Sequence, residues 1–173
     1  LIASGIGAYL YFNGANVVSP DNVDITINGP LSVSGGEQVS FEVQIANENN
    51  IELQNVDMSV DFPSGTVDPT DSLKELKNYR EVIPNIIPGG IGQKTIKAVL
   101  YGEENSKRTI KVSIEYKVTG SNATFQKEKT FDLLISSAPL NLSVSSFKEV
   151  NSGQEFEMAI MMNSNSKETI KNL

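Results

Sequence analysis

The sequence has no cysteine, no histidine and no tryptophan. Without Cys and His there is no disulfide, no zinc or haem site of the common kinds and no Ser-His or Cys-His nucleophile, so most catalytic chemistry is excluded by composition. Carboxylate acid–base work, a Ser-Lys pair or an oxygen-ligated metal remain, and each must be argued from positions. Basic residues are also scarce. Against 21 Asp+Glu stand 14 Lys+Arg in 173 residues, a net charge of -7 and a sequence pI near 4.6. The largest basic cluster is Lys107-Arg108. Neutralising phosphates takes a basic stripe, so nucleic acid is not an expected partner and anionic headgroups are disfavoured. Zero Cys suits a reducing compartment and a secreted bacterial protein equally, and leaves location open.

Charge is missing altogether from Leu1 to Phe12 (LIASGIGAYLYF), and the first charged residue is Asp21. The run is shorter than the roughly 20 apolar residues that cross a bilayer, but the chain opens at Leu1 and not at Met. It reads as the outer half of a truncated membrane helix: a partial transmembrane segment over 1–18, then a juxtamembrane linker over 19–22. Tyr9, Tyr11 and Phe12 sit at its polar end, where interfacial aromatics belong, and Gly5 and Gly7 are tolerated in membrane helices. A buried strand or core helix and the apolar region of a signal peptide remain as alternatives. On the membrane reading, the protein is a single-pass chain facing outward, and the membrane is a partner through this segment.

From Val23 onward the hydrophobic period is two. Val23, Ile25 and Ile27 alternate with polar residues, as do Val39, Phe41, Val43 and Ile45, then Val56, Met58, Val60 and Phe62, and Ile110, Val112, Ile114 and Tyr116. Ile96, the apolar run Ala98 to Tyr101, and Phe125 with Phe131 to Ile135 complete about seven half-buried strands. Turn formers mark the breaks: Gly29-Pro30, Ser34-Gly35-Gly36, Glu48-Asn49-Asn50, Pro63-Ser64-Gly65, Pro88-Gly89-Gly90 and Gly120-Ser121-Asn122. Glu103-Glu104-Asn105 reads as a hairpin tip between two long strands. Only Ser72 to Lys77 looks helical, with Ser72 and Glu75 spaced as a capping box. The pattern predicts an all-β fold, an immunoglobulin-like sandwich of about seven strands over 23–135.

The pattern then repeats. A shift of 117 residues lays Val23, Ile25, Ile27, Val33, Val39, Phe41, Val43, Ile45, Leu53 and Val56, without a gap, on Leu140, Leu142, Val144, Val150, Phe156, Met158, Ile160, Met162, Ile170 and Leu173. Gly36 falls on Gly153 and Asn55 on Asn172. Residues 140–173 are therefore expected to be the start of a second sandwich, joined through a linker at 136–139. About three strands cannot bury two sheet faces, so the chain is expected to be a fragment.

Three turn segments carry a resemblance: Ser34-Gly35-Gly36-Glu37, Ile86-Ile87-Pro88-Gly89-Gly90 and Ser152-Gly153-Gln154-Glu155. On these the chain resembles the tandem immunoglobulin-like, CARDB-like repeats of membrane-anchored bacterial surface proteins. Ala15-Asn16-Val17-Val18-Ser19 looks like the juxtamembrane join of such proteins in small-genome candidate-phyla bacteria. The resemblance implies extracellular display and adhesion to an unidentified protein or carbohydrate partner, without catalysis. A pilin-like filament subunit and a spacer repeat of a larger secreted enzyme are the alternatives.

No catalytic, cofactor-binding or metal site is expected. Asp57 and Asp61 share a strand face, with Asp68 and Asp71 in the following loop, but they lack a regular calcium-ligand spacing and read as a solvated acidic face. No carboxylate pair is marked as flanking a glycosidase cleft. Ser106-Lys107 and Ser166-Lys167 fall in turns, where both side chains are wet. Asn122-Ala123-Thr124 matches a glycosylation triplet and reads as a hairpin turn. Ile86 and Ile87 are expected to plug one end of the sandwich.

Overall fold

Alternation of period two obliges each strand to bury one side, and two such sheets bury theirs against each other. The computed structural model describes residues 19–165. The expected membrane segment 1–18 and residues 166–173, with Ser166-Lys167, Ile170 and Leu173, lie outside the described residues. Ten strands make up the first unit: β1 (Val23–Asn28), β2 (Ser32–Ser34), β3 (Gln38–Asn47), β4 (Leu53–Asp61), β5 (Thr66–Asp68), β6 (Asp71–Glu75), β7 (Asn78–Ile83), β8 (Ile91–Leu100), β9 (Lys107–Val118) and β10 (Phe125–Ser137). They form two five-stranded sheets, ordered β1-β3-β8-β5-β6 and β2-β10-β9-β4-β7. Every ladder in them is antiparallel except β2 on β10.

The core between the sheets is the set that the alternation marks. Val39, Phe41, Val43 and Ile45 are no more than 1% exposed, and Val56, Met58, Val60, Ile110, Val112 and Ile114 are fully buried. Phe41 stacks on Phe131 and meets Phe62 edge-on, with ring centroids 5.9 and 6.4 Å away. Gly29 carries the chain from β1 in one sheet to β2 in the other across this cluster. A Cβ there would lie 2.8 Å from the Phe41 Cβ and 3.1 Å from the Phe131 ring, so the crossing has room for no side chain.

Three local expectations are corrected. Ser72 to Lys77 is not helical: Asp71 to Glu75 is strand β6. Asp68 and Asp71 each accept the backbone N–H two residues on, from Thr70 and Leu73, and these local bonds turn the chain back on β5. Glu103 to Asn105 is not a hairpin tip, because β8 and β9 lie in different sheets. The segment crosses between them, with Asn105 at φ 61° donating to the carbonyl of Ile135. Ile86 and Ile87 divide: Ile86 is buried and Ile87 is 64% exposed. The strand number also exceeds the expected seven, because β2, β5, β6 and β7 are short or lack clean alternation.

Beyond β10 the chain continues through Ala138-Pro139 into β11 (Leu140–Ser146), which pairs antiparallel with β12 (Met158–Ser164). Leu140 lies opposite Ser164 and Leu142 opposite Met162. In the first unit Val23 lies opposite Asn47 and Ile25 opposite Ile45. Each partner is displaced by 117 residues. The turns before β3 and β12 agree as well: Glu37 donates to Ser34 and Gln154 to Asn151, around Gly36 at φ 83° and Gly153 at φ 81°.

Candidate functional site at the two poles

β3 runs the height of the sandwich, and nine steps of ~3.3 Å separate its ends by about 30 Å. At the lower pole, where Val23 faces Asn47, the chain enters. A 3-10 turn, Pro20–Asn22, is capped by the Ser19 hydroxyl, which accepts from the Asp21 N–H. The Ser19 N–H donates to Asn49 Oδ1 at 3.1 Å, the Asn22 amide reaches the same oxygen at 3.4 Å, and Lys127 Nζ donates to the Pro20 carbonyl at 3.1 Å. The entry is thus held on the β3–β4 connection and on β10.

Asn47 organises the rest of this pole. It occupies the inward register that Val39 to Ile45 fill with apolar side chains, and it is 1% exposed. Its amide donates to the carbonyls of Ile51, Ile86 and Ile87 at 2.8, 3.0 and 3.2 Å, and its Oδ1 accepts from the Asn49 N–H at 3.0 Å. One side chain thereby ties the Ile51 loop to the Ile86–Ile87 segment, adding to the bonds that the Ile86 and Ile87 carbonyls accept from the N–H groups of Leu53 and Gly90. Its signal in the sequence is a polar residue in phase with an apolar series.

At the upper pole the chain leaves. The Gly35 N–H donates to the Ser137 carbonyl and the Gly36 N–H to the Leu100 carbonyl, at 2.9 and 2.8 Å. Cβ positions at Gly35 and Gly36 would lie 3.0 Å from the Pro139 ring and from the Tyr101 ring respectively, so the turn, the exit and Tyr101 are packed together. The expected linker shortens, since Ser136 and Ser137 belong to β10.

Between the sheets, on the side of β7, sits a charged cluster. Tyr79 Oη donates to Glu81 Oε2 at 2.6 Å and Lys94 Nζ to Glu81 Oε1 at 2.8 Å. Hydrogen bonding by Lys94 and Tyr79 lowers the Glu81 pKa, and the Glu81 bond raises that of Lys94. Burial and then Glu81 raise the Tyr79 phenol. An acid–base pair works best with its pKa values drawn towards neutrality. These move apart, which makes the cluster an ion pair joining β7 of one sheet to β8 of the other.

The remaining candidate residues are dispersed. Asp57 accepts from Arg80 Nε at 2.9 Å and Asp61 from Asn78 at 2.7 Å. Asp68 accepts from the Thr70 N–H and hydroxyl and from Lys74, which lowers its pKa to about 2. Ser106 donates to the Glu103 carbonyl while Lys107 pairs with Asp132, so the two do not meet. Lys107-Arg108 splits across the sheet: Lys107 faces solvent, and the Arg108 guanidinium packs on Gly102. Asn122-Ala123-Thr124 lies between β9 and β10 in the expected hairpin. Among the described residues no three or more acidic side chains are grouped to hold a metal ion, and no helix is long and apolar enough to cross a membrane.

No family model and no curated protein sequence matches this chain. Solved structures do. The CARDB domain of a Pyrococcus furiosus protein, in its solution structure, shares 16% identity at a TM-score of 0.45 over 68% of this chain and 94% of its own. A crystal structure of that domain in complex with di-metal ions gives 16% and 0.45 over 70% and 99%. A part of E. coli alpha-2-macroglobulin gives 13% and 0.50 over 73% of this chain and 7% of that protein. At these identities the likeness is one of fold. The chain is a β-sandwich module whose structural neighbours include CARDB domains.

Proposed function

We propose that the chain is a non-enzymatic module of a membrane-anchored stalk or adhesin, which displays tandem immunoglobulin-like units on the outer face of the cell. The observation that carries this reading is the path of the chain: it enters the first unit at one pole, leaves at the other, and at once begins strands whose register repeats that of β1 and β3. Units joined pole to pole build length, which is what projection from a surface requires. The second unit supports it further. Its cross-strand pairs Leu142/Met162 and Val144/Ile160 are 55–58% exposed, whereas Ile25, Ile45 and Val43 at the matching positions are buried against a second sheet. That apolar face has the composition of one covered by an opposing sheet. The uncharged run Leu1 to Phe12 supplies the anchor, and loops, sheet faces or further units meet the protein or carbohydrate partner.

The test uses the native-length protein carrying one introduced cysteine, Asn122→Cys, in the exposed β9–β10 hairpin. The protein is expected in the membrane fraction after carbonate washing, and the cysteine is expected to react with a membrane-impermeant maleimide on intact cells. Release by carbonate, or labelling only after lysis, overturns the reading.

A further inference from the structure

We propose that the outward face of β1, β3 and β8 binds a neutral polysaccharide. This names the class of partner for the display reading above, and rests on that reading only for exposure to such a polymer. The face itself is a property of the sheet.

The two outward faces of the sandwich differ in chemistry. On the sheet of β9 and β10, opposite charges stand on neighbouring strands and pair: Lys107 with Asp132 and Lys111 with Glu128 at 2.8 Å, and Arg80 with Asp57 at 2.9 Å. On the other sheet the register sets Thr26, Gln44 and Gln93 side by side, and Asn28, Glu42 and Thr95 in the next row. These six point outward, because Ile25, Val43 and Ile45 between them are buried. The outward positions of the three strands carry only Asp24, Glu42 and Lys97 as charges, and none of these forms a salt bridge among the described residues.

Side-chain amides and hydroxyls both donate and accept hydrogen bonds, as the hydroxyls of a sugar do. Neutral groups also leave water at lower cost than ions. Gln44 Nε2 donates to Glu42 Oε2 at 3.0 Å, which orients both side chains and leaves Gln44 Oε1 and Glu42 Oε1 to accept from a ligand. One row nearer the lower pole Ile91 stands opposite Ala46 and is 62% exposed, an aliphatic contact suited to the C–H face of a sugar ring. A polyanion would instead meet Asp24, Glu42 and a chain of net charge -7.

Size decides against a globular protein. Three strands ~4.8 Å apart and ~30 Å long present about 450 Å², whereas each partner in a standard protein interface covers about 800 Å². The outward positions also hold no Tyr, Trp, Phe, Met or Arg, the residues that anchor such interfaces. A single polysaccharide chain is narrow enough to lie along these rows.

Affinity gel electrophoresis of the full chain in mild detergent tests the proposal, with soluble α-glucan, β-glucan, mannan and galactan as neutral probes and polygalacturonate as the anionic one. At least one neutral polymer is expected to retard the protein, and polygalacturonate is not. Gln44→Ala with Gln93→Ala is expected to weaken that retardation at least tenfold, whereas Ser113→Ala with Thr130→Ala, on the opposite sheet, leaves it unchanged. Thr95→Glu places an unpaired charge beside Glu42 and is expected to abolish it. No retardation by any of the four neutral polymers overturns the proposal, as does stronger retardation by polygalacturonate, or retardation that survives in a folded Gln44→Ala, Gln93→Ala variant. So does a photocrosslinker on Gln93→Cys that captures a protein while no neutral polymer binds. Urea midpoints establish folding, and if the double variant does not fold, Thr95→Glu decides. Retardation of a protein that fails the membrane test above keeps the binding face and removes only the surface setting. A membrane-bound protein that no neutral polymer retards keeps the setting and removes the face.

Discussion

The backbone N–H of Asn165 donates to the carbonyl of Pro139 at 3.0 Å, and 117 residues earlier Glu48 makes the same bond to Asn22 at 2.8 Å. Each bond ties the residue after the second strand of a pair to the residue before the first, fixing where the pair begins. Asn165 adds a side-chain bond to the Ala138 carbonyl at 3.1 Å. The two-residue connection is thereby held from the adjoining end of the second unit's own ladder, while Gly35 holds its start from the first unit through the Ser137 carbonyl.

The inward register of β3 makes the first prediction. Phe41→Ala removes a ring that contacts Phe62 and Phe131 and is expected to cost about 3 to 5 kcal/mol. Ser40→Ala, one residue away on the solvent face, is expected to change stability by less than about 0.5 kcal/mol. Denaturant unfolding measures both, and equal losses contradict the register, since a one-residue slip exchanges the faces.

Asn47 is the lower pole's chief polar contact. Asn47→Asp keeps the shape but replaces the donor amide with an acceptor aimed at three carbonyls, so it is expected to destabilise by about 3 kcal/mol or more at neutral pH. Asn47→Leu removes all three of these bonds and the acceptor of the Asn49 N–H, and is also expected to destabilise. A variant of either kind with parental stability shows that the loops do not depend on this side chain.

Tyr116 is 1% exposed, stacks on Phe125 with centroids 5.6 Å apart, and has no hydrogen-bond partner for its hydroxyl among the described residues. Burial raises its pKa. Tyr116→Phe removes the stranded hydroxyl and keeps the ring, so stability is expected to be unchanged or higher by up to about 1 kcal/mol. A clear loss contradicts the assignment.

Asp68 supplies a pH dependence. Its folded pKa, about 2 against an ordinary 3.8, means the folded state favours the ionised carboxylate. Its contribution is fully present above the ordinary value and drains away as pH falls towards 2. Asp68→Asn is expected to flatten that part of the pH–stability curve, with a carboxyl NMR titration giving a midpoint near 2 in the parent. A midpoint near 4 contradicts the turn geometry.

Most of the sandwich was legible because apolar alternation is the direct signature of a one-sided strand: β3, β4 and β9 lie where Val39 to Ile45, Val56 to Phe62 and Ile110 to Tyr116 place them. β7 was not, because two of its inward positions are Tyr79 and Glu81, which are satisfied by Lys94 from the other sheet rather than by apolar neighbours. β6 was misread because Ser72 and Glu75 match a helix start locally, whereas the Asp68 and Asp71 side chains that turn the chain back act through bonds that spacing alone does not reveal. The poles were legible only as turn formers. That Asn47 binds carbonyls 39 and 40 residues away is a property of the folded chain.

The central claim, that the chain enters at one pole and leaves at the other, is tested most directly by spin-label distances between introduced cysteines. Asp21→Cys and Ser136→Cys, both exposed, are expected to lie at least about 30 Å apart, the length of β3. Asp21→Cys and Asn122→Cys are expected to be clearly closer, since both mark the lower pole. A short Asp21–Ser136 distance would place entry and exit at the same pole and contradict the account.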